Sequence, residues 1–325
     1  MASVLEIRDL HVEYRSREGA NHLALAGINF ELLPGEILGV LGESGSGKST
    51  LAASLLRLLP GNAVIIQGAV RLAGKDLLRA EPHELQQIRG RDISLIFQEP
   101  SLALHPTMRV GEQVRQVLAA HDPKGKSQLK ERTRAVFARV FPQDTDHMMR
   151  SYPHQLSGGQ RQRVLIAQAI ACGPSIVIAD EPTSSLDPTT QFEILSLFQE
   201  LRKRLGLAMI FISHNPALLA GFADRILVLY GGRVVELGLA ATVTSFPQHP
   251  YTKALLASVP AVDDGIAGER GQKLPVITGD STLLPSQGCC FEPRCADRME
   301  ICKRREPALL HLSEIHKVAC LKYEN

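Results

Sequence analysis

Residues 42–49 hold the densest set of groups able to do chemistry. Gly42-Glu43-Ser44-Gly45-Ser46-Gly47-Lys48-Ser49 matches G-x-x-x-x-G-K-[ST] at every fixed position. Glycines let a backbone curl until several N–H groups face one point, and a helix starting there adds the positive end of its dipole. The chemistry implied is phosphate binding. Lys48 can reach the terminal phosphates of a nucleotide, Ser49 can ligate Mg²⁺, and Thr50 joins the same set. Such a site needs a further carboxylate, and Ile176-Val177-Ile178-Ala179-Asp180-Glu181 supplies two at the end of an apolar run. Asp180 is suited to hold Mg²⁺ through water, and Glu181 to orient or deprotonate an attacking water. The competing reading of this pair is a helix cap ahead of Pro182.

These groups require strands that end at one edge of a sheet. Ile37 to Leu41 is a continuous apolar run, the mark of a strand buried on both faces, and a helix is expected from Lys48 to about Leu59. Before it, residues 3–41 read as short strands, with Val4 to Ile7, Ile28 to Leu32 and a turn at Pro34-Gly35. Residues 64–97 return to strand-like segments, of which Ile93 to Phe97 is the most apolar. Val110 to Ala120, Leu129 to Phe141 and Gln160 to Ala171 carry helical spacing. Ser175 to Ala179, Thr189 to Leu205 and Ala208 to Ser213 then read strand, helix, strand. The expected fold is a parallel α/β core interrupted by a helical insertion at about 100–172.

Composition bounds the function classes. A chain of 325 residues allows about two domains. Its 44% hydrophobic and 22% charged residues are ordinary for a globular protein. A net charge of +2 and 5% aromatics without Trp offer neither a basic field nor stacking platforms for nucleic acid. No apolar run is long enough to span a bilayer, and charged residues interrupt the segment Met1 to Leu10. The expectation is a chain that stays in the cytosol, with any membrane path supplied by another chain.

Between the two halves of the phosphate site stands Leu156-Ser157-Gly158-Gly159-Gln160, followed by Arg161-Gln162-Arg163. This resembles the signature of the ABC ATPases. Other elements of that superfamily occur in its order: Tyr14 resembles the aromatic that stacks on adenine, and Gln98 the Q-loop glutamine. Ser184-Ser185-Leu186-Asp187 resembles the D-loop, and His214 the switch histidine. The resemblance covers residues 3–260. It implies a P-loop ABC ATPase core with a parallel, RecA-like subdomain, an antiparallel β subdomain and the helical subdomain. It implies ATP and Mg²⁺, with Mg²⁺ on Ser49, Gln98 and Asp180. It implies catalysis by Lys48, Gln98, Glu181 and His214, and a facing subunit whose ATP is completed in trans by residues 156–160. Many members carry Asp after the switch histidine; Asn215 here puts a helix-capping charge in doubt.

Pro247-Gln248-His249-Pro250-Tyr251 and Tyr152-Pro153-His154-Gln155 resemble segments of the oligopeptide/dipeptide importer ATPases. So does the tail with Cys289, Cys295, Cys302 and Cys320. The implied organisation is an ATPase domain over 1–260, a Gly/Pro/Asp-rich linker over 261–287 and a cysteine-rich module over 288–325. The implied function is ATP-driven peptide uptake at the cytoplasmic face of the cell membrane. Implied partners are a second ATPase, by family precedent a non-identical sister with another copy as the alternative, two permease subunits and, indirectly, an external binding protein. Nickel or another small solute as cargo, and a soluble ABC ATPase acting on DNA or ribosomes, are the alternatives. In the family the four cysteines are taken to hold a [4Fe–4S] cluster, with Arg294, Arg298, Lys303, Arg304 and Arg305 offsetting its charge. By ligand chemistry alone, four thiolates spaced by five, six and seventeen residues suit iron–sulfur or zinc, and unbound thiols are a further reading. Cys290 could replace Cys289.

Overall fold

The computed structural model describes residues 3–16, 19, 21–122, 126–258, 277–279, 284–285 and 287–324. The chain opens with β1 (Leu5–Tyr14), β2 (His22–Leu32) and β3 (Ile37–Leu41), then the loop 42–47 and α1 (Lys48–Leu55). β4 (Ala63–Leu72), β5 (Lys75–Asp76), α2 (Pro82–Ile88) and β6 (Ile93–Ile96) follow. Next come α3 (Pro100–Ala103), α4 (Val110–His121), α5 (Leu129–Val140), α6 (Thr145–Arg150) and α7 (Gly158–Ile170). The core resumes with β7 (Ile176–Asp180), α8 (Pro188–Leu205), β8 (Ala208–Ser213), α9 (Pro216–Phe222), β9 (Arg225–Tyr230) and β10 (Arg233–Leu239). The last elements are α10 (Ala240–Ser245), α11 (Pro250–Ala257), β11 (Leu310–Ser313) and β12 (His316–Val318).

Two sheets organise these elements. An antiparallel sheet runs β2-β1-β4-β5, and a larger sheet runs β11-β12-β10-β9-β3-β8-β7-β6. In the larger sheet β6, β7, β8, β3 and β9 are parallel neighbours, and β10, β12 and β11 join antiparallel. All residues of β3 and of β8 are buried. Their side chains alternate between two cores, as a strand with a two-residue period requires. Ile37, Leu41, Val177, Ala179, Met209 and Phe211 face the helical side with α4, α5 and α7. Leu38, Val40, Ile176, Ile178, Ile210 and Ile212 face α1 and the antiparallel sheet. Each apolar run thus has both faces covered, which is why it reads as continuous rather than alternating.

The helical insertion forms because its apolar residues recur at helical spacing. Val110, Val114 and Leu118 of α4 pack with Val136, Phe137 and Val140 of α5. One helix lies where the sequence reads as strand-like. α2 begins with Pro82 at its first turn, and Glu81 and Glu84 exchange side-chain and backbone hydrogen bonds in a capping box. The helix after the phosphate loop ends at Leu55, short of the expected Leu59, as Arg57 turns with φ 51°.

The chain's last described segment is part of the main sheet. β12 pairs with β10 through Glu236–Val318, Leu237–Lys317 and Gly238–His316. The linker expected over 261–287 falls almost wholly outside the described residues. Among those described, no helix is long and apolar enough to cross a membrane.

Candidate functional site

Strand register assembles the site. Leu41 of β3 lies opposite Ser213 of β8, Asp180 of β7 opposite Ile212, and Ala179 opposite Ile96 of β6. The residues that follow these positions therefore emerge in one row: Gly42, Glu181, His214 and, beyond Phe97, Gln98. This row is the carboxyl edge of the parallel strands, where ligands bind in open α/β sheets.

The loop is shaped by its glycines. A Cβ on Gly42 would stand 2.3 Å from the Leu229 carbonyl oxygen, and Gly47 has φ 105° with the Ala24 carbonyl 2.8 Å from where its Cβ would be. No other residue fits either place. Lys48 is buried and folds back to donate from Nζ to the carbonyls of Gly42 and Glu43, both at 2.8 Å. Burial holds its pKa below the usual lysine value, opposed by the carboxylates of Glu181, Asp180 and Glu43. Tyr14, at the end of β1, brings its hydroxyl to 3.3 Å from Thr50 Oγ1.

Asp180 is pushed above the usual carboxylate range, first by burial; a hydrogen bond with Ser49 opposes this and Glu181 adds to it. Its Oδ1 is buried without a partner. An orphaned carboxylate oxygen beside a hydroxyl is what a hard divalent cation satisfies, so these two residues fit Mg²⁺. Glu181 has φ 45°, a left-handed backbone for a non-glycine residue and one that precedes a proline. Its carboxylate lies 3.0 Å from Nδ1 of His214. Strain of this kind persists where the surroundings over-determine a residue, commonly at reacting centres.

Residues 156–160 stand at the start of α7. Ser157 caps α7, its hydroxyl accepting from the Gln160 amide at 3.3 Å while Gln160 Oε1 accepts from the Ser157 amide at 2.9 Å. A Cβ on Gly159 would meet Thr190 Cγ2 at 2.4 Å, so α7 and α8 approach there only through glycine. Asp187 caps α8 from Thr190 at 3.0 Å, and Ser184 donates to the Glu181 carbonyl at 3.1 Å. Among the described residues no hydrogen bond or ion pair joins 156–160 to 42–50. Asn215 caps α9 as a neutral amide, accepting from Ala217 and Leu218 at 3.0 and 3.3 Å, which resolves the doubt over that cap.

A profile of the ABC transporter family matches residues 25–184, and one of the oligopeptide/dipeptide transporter C-terminal region matches 235–302. The dipeptide transport ATP-binding protein DppD of Bacillus subtilis is 40% identical over 323 residues, covering 98% of this chain and 95% of that one. The chain belongs to the ATP-binding subunits of ABC transporters. The oligopeptide transport ATP-binding protein OppD of Escherichia coli is 41% identical over 305 residues, covering 94% and 89%. Among solved structures, the cassette MJ0796 in a dimeric post-hydrolysis state with ADP and Pi superposes with a TM-score of 0.63 at 27% identity, covering 73% of this chain and 98% of that one. For cbiO1 from Clostridium perfringens the TM-score is 0.65 at 27% identity, covering 76% and 92%. This ABC subunit is an ATPase.

Sequence reasoning missed the third wall of the loop. The Glu43 amide donates to the Tyr251 hydroxyl at 2.8 Å, and Arg294 forks onto the Glu43 carboxylate at 2.6 and 3.1 Å. Arg294 therefore serves Glu43 rather than a cysteine-held charge. Lys303 pairs with Glu300 at 3.0 Å and Arg305 with Glu324 at 2.5 Å, so they too have other partners. The His-Pro-Tyr segment was the available signal, but spacing alone does not reveal its contact. Cys302 and Cys320 are buried, and the Cys289 amide donates to the Cys302 carbonyl at 2.8 Å. Among the described residues no three His, Cys, Asp or Glu side chains come together as a metal-binding group. The expectation of a [4Fe–4S] cluster on Cys289, Cys295, Cys302 and Cys320 therefore finds no support.

Proposed function

We propose that this ATPase powers the uptake of di- and oligopeptides through a membrane transporter, working from the cytoplasmic face. The observation that carries the reading is the near-full-length similarity to two peptide-transport ATP-binding proteins, joined to the match of residues 235–302 with the C-terminal region of that transporter class. In this reading two permease subunits supply the path and a second ATPase, a sister chain, faces this one. The catalytic unit spans 1–260, the linker 261–287 and the C-terminal module 288–325.

The site roles follow from chemistry. Lys48 releases its two carbonyls to hold terminal phosphates, and the loop amides of residues 45–50 surround them. Ser49, Asp180 and Gln98 would hold Mg²⁺, which would supply neutralisation of phosphate charge. Glu181 orients the attacking water and takes its proton, and His214 holds the Glu181 carboxylate and meets the γ-phosphate. Ser157 and the amides of Gly158 and Gly159 form a second anion-binding helix end. No hydrogen bond or ion pair among the described residues ties it to residues 42–50, which favours its use on the ATP of the facing subunit, with Asp187 and Ser184 beside the junction. No step runs through the cysteines.

Transport of labelled di- and tripeptides in a strain lacking this chain tests the proposal. Uptake restored by the parent and not by Lys48→Ala is the expected result. Peptide uptake that is unaffected by the deletion, or a defect confined to nickel, overturns it.

A further inference from the structure

Glu43 poses an electrostatic problem. Its carboxylate sits in a loop built to receive a polyanion, and its side chain is only 26% exposed. Left alone, that charge would repel a triphosphate in a site where burial weakens solvent screening.

The structure meets this charge from 251 positions away in sequence. Arg294 is 5% exposed, and each of its five N–H donors has an acceptor. Two go to Glu43 at 2.6 and 3.1 Å, one to the Tyr230 hydroxyl at 3.3 Å, and the others to the carbonyls of Ile277 at 3.3 Å and Thr278 at 3.2 Å. A guanidinium bonded at every donor is fixed in orientation, which sets its charge against the Glu43 carboxylate.

The same segment fixes the backbone. Glu236, fully buried in β10, accepts from the amides of Gln248 at 2.8 Å and His249 at 2.9 Å, and from His316 Nε2 at 2.8 Å. His249 Nδ1 then caps α11 by accepting from the Tyr251 amide at 3.0 Å. Tyr251 is thereby placed with its ring against Tyr230 and Phe291, at centroid separations of 4.6 and 5.4 Å. Its hydroxyl takes the Glu43 amide at 2.8 Å, and the Glu43 carbonyl receives Lys48 at 2.8 Å.

We propose that Arg294 and Tyr251 are positioning residues for ATP: the segment after β10 sets the charge and backbone of the phosphate loop, so that the C-terminal part of the chain governs nucleotide affinity. The inference rests on the ATPase site described above. Neither residue touches the reacting atoms, so the effect falls on binding rather than on the chemical step.

The test uses the full-length chain, with Mg-ATP affinity, turnover at saturating ATP and melting temperature measured together. Arg294→Gln is expected to weaken Mg-ATP binding about tenfold, the equivalent of about 1.4 kcal/mol. Turnover at saturation should stay within about threefold, because the chemical groups are untouched. Adding Glu43→Gln to Arg294→Gln should recover most of the lost affinity, since the repelling charge goes with its partner. A merely structural role for Arg294 would not be rescued in this way. Parental affinity in Arg294→Gln, or a double variant as weak as the single one, overturns the proposal. If Arg294→Gln melts far below the parent, Arg294→Lys takes its place: it keeps the charge and loses the fork, with affinity expected to fall about threefold, and unchanged affinity again overturns the proposal. Loss of the parent's own Mg-ATP binding in Lys48→Ala tests the ATPase site separately.

Discussion

Replacing Glu181 by Gln separates binding from chemistry most cleanly. Gln is nearly the same shape, so an oxygen still faces His214 Nδ1 across the 3.0 Å now spanned by the carboxylate. The left-handed backbone at φ 45° is equally strained with either side chain. What is lost is the charge and the ability to take a proton from water. Removal of one group that acts chiefly in the transition state costs about 3 kcal/mol. At about 1.4 kcal/mol per power of ten, turnover should fall by about 150-fold. Mg-ATP affinity should remain close to the parental value. Phosphate release under saturating ATP, beside equilibrium nucleotide binding, makes the comparison. A companion variant isolates the strain. Glu181→Gly relieves a conformation that costs an L-residue about 1 kcal/mol, so it should melt no lower than the parent while turning over as poorly as Glu181→Gln. Hydrolysis within tenfold of the parent in Glu181→Gln would remove this residue from catalysis. Lost nucleotide binding in that variant would show that its effect is structural instead.

Two other substitutions read single features of the site. Asp180→Asn should abolish the rise in melting temperature that Mg-ATP gives the parent, yet raise the melting temperature of the nucleotide-free protein at neutral pH. The sign follows from burial: Asp180 titrates higher when folded than when unfolded, so its contribution to stability is present at low pH and is lost as pH rises through that window. The advantage of Asn should therefore shrink toward acid pH, and a parent-like response to Mg-ATP in this variant would exclude Asp180 as a Mg²⁺ ligand. Asn215→Ala removes an acceptor from the amides of Ala217 and Leu218 and should cost about 1 kcal/mol in denaturant unfolding. Unchanged stability would mean that the cap contributes nothing.

Much of the site was legible because its chemistry is local. A phosphate loop needs glycines, a lysine and a hydroxyl in consecutive order, and an apolar strand must precede it. A second apolar strand ending in Asp180-Glu181 carries its own message for the same reason. The helical insertion was legible from its 3.6-residue spacing. α2 was missed because Pro82 and the pair Glu81/Glu84 act through capping, which periodicity does not register.

Sequence by itself marked the candidate phosphate loop, the two candidate carboxylates and the family signature, since each is written in a few adjacent residues. Tertiary structure alone decided which distant groups meet them. Strand register set Gly42, Glu181 and His214 in one row, and sheet pairing carried β12 onto β10. Only the packed fold brought Arg294 to Glu43 and Tyr251 to its amide. Contacts across 200 residues or more depend on the sum of many buried surfaces, and no short spacing encodes that sum.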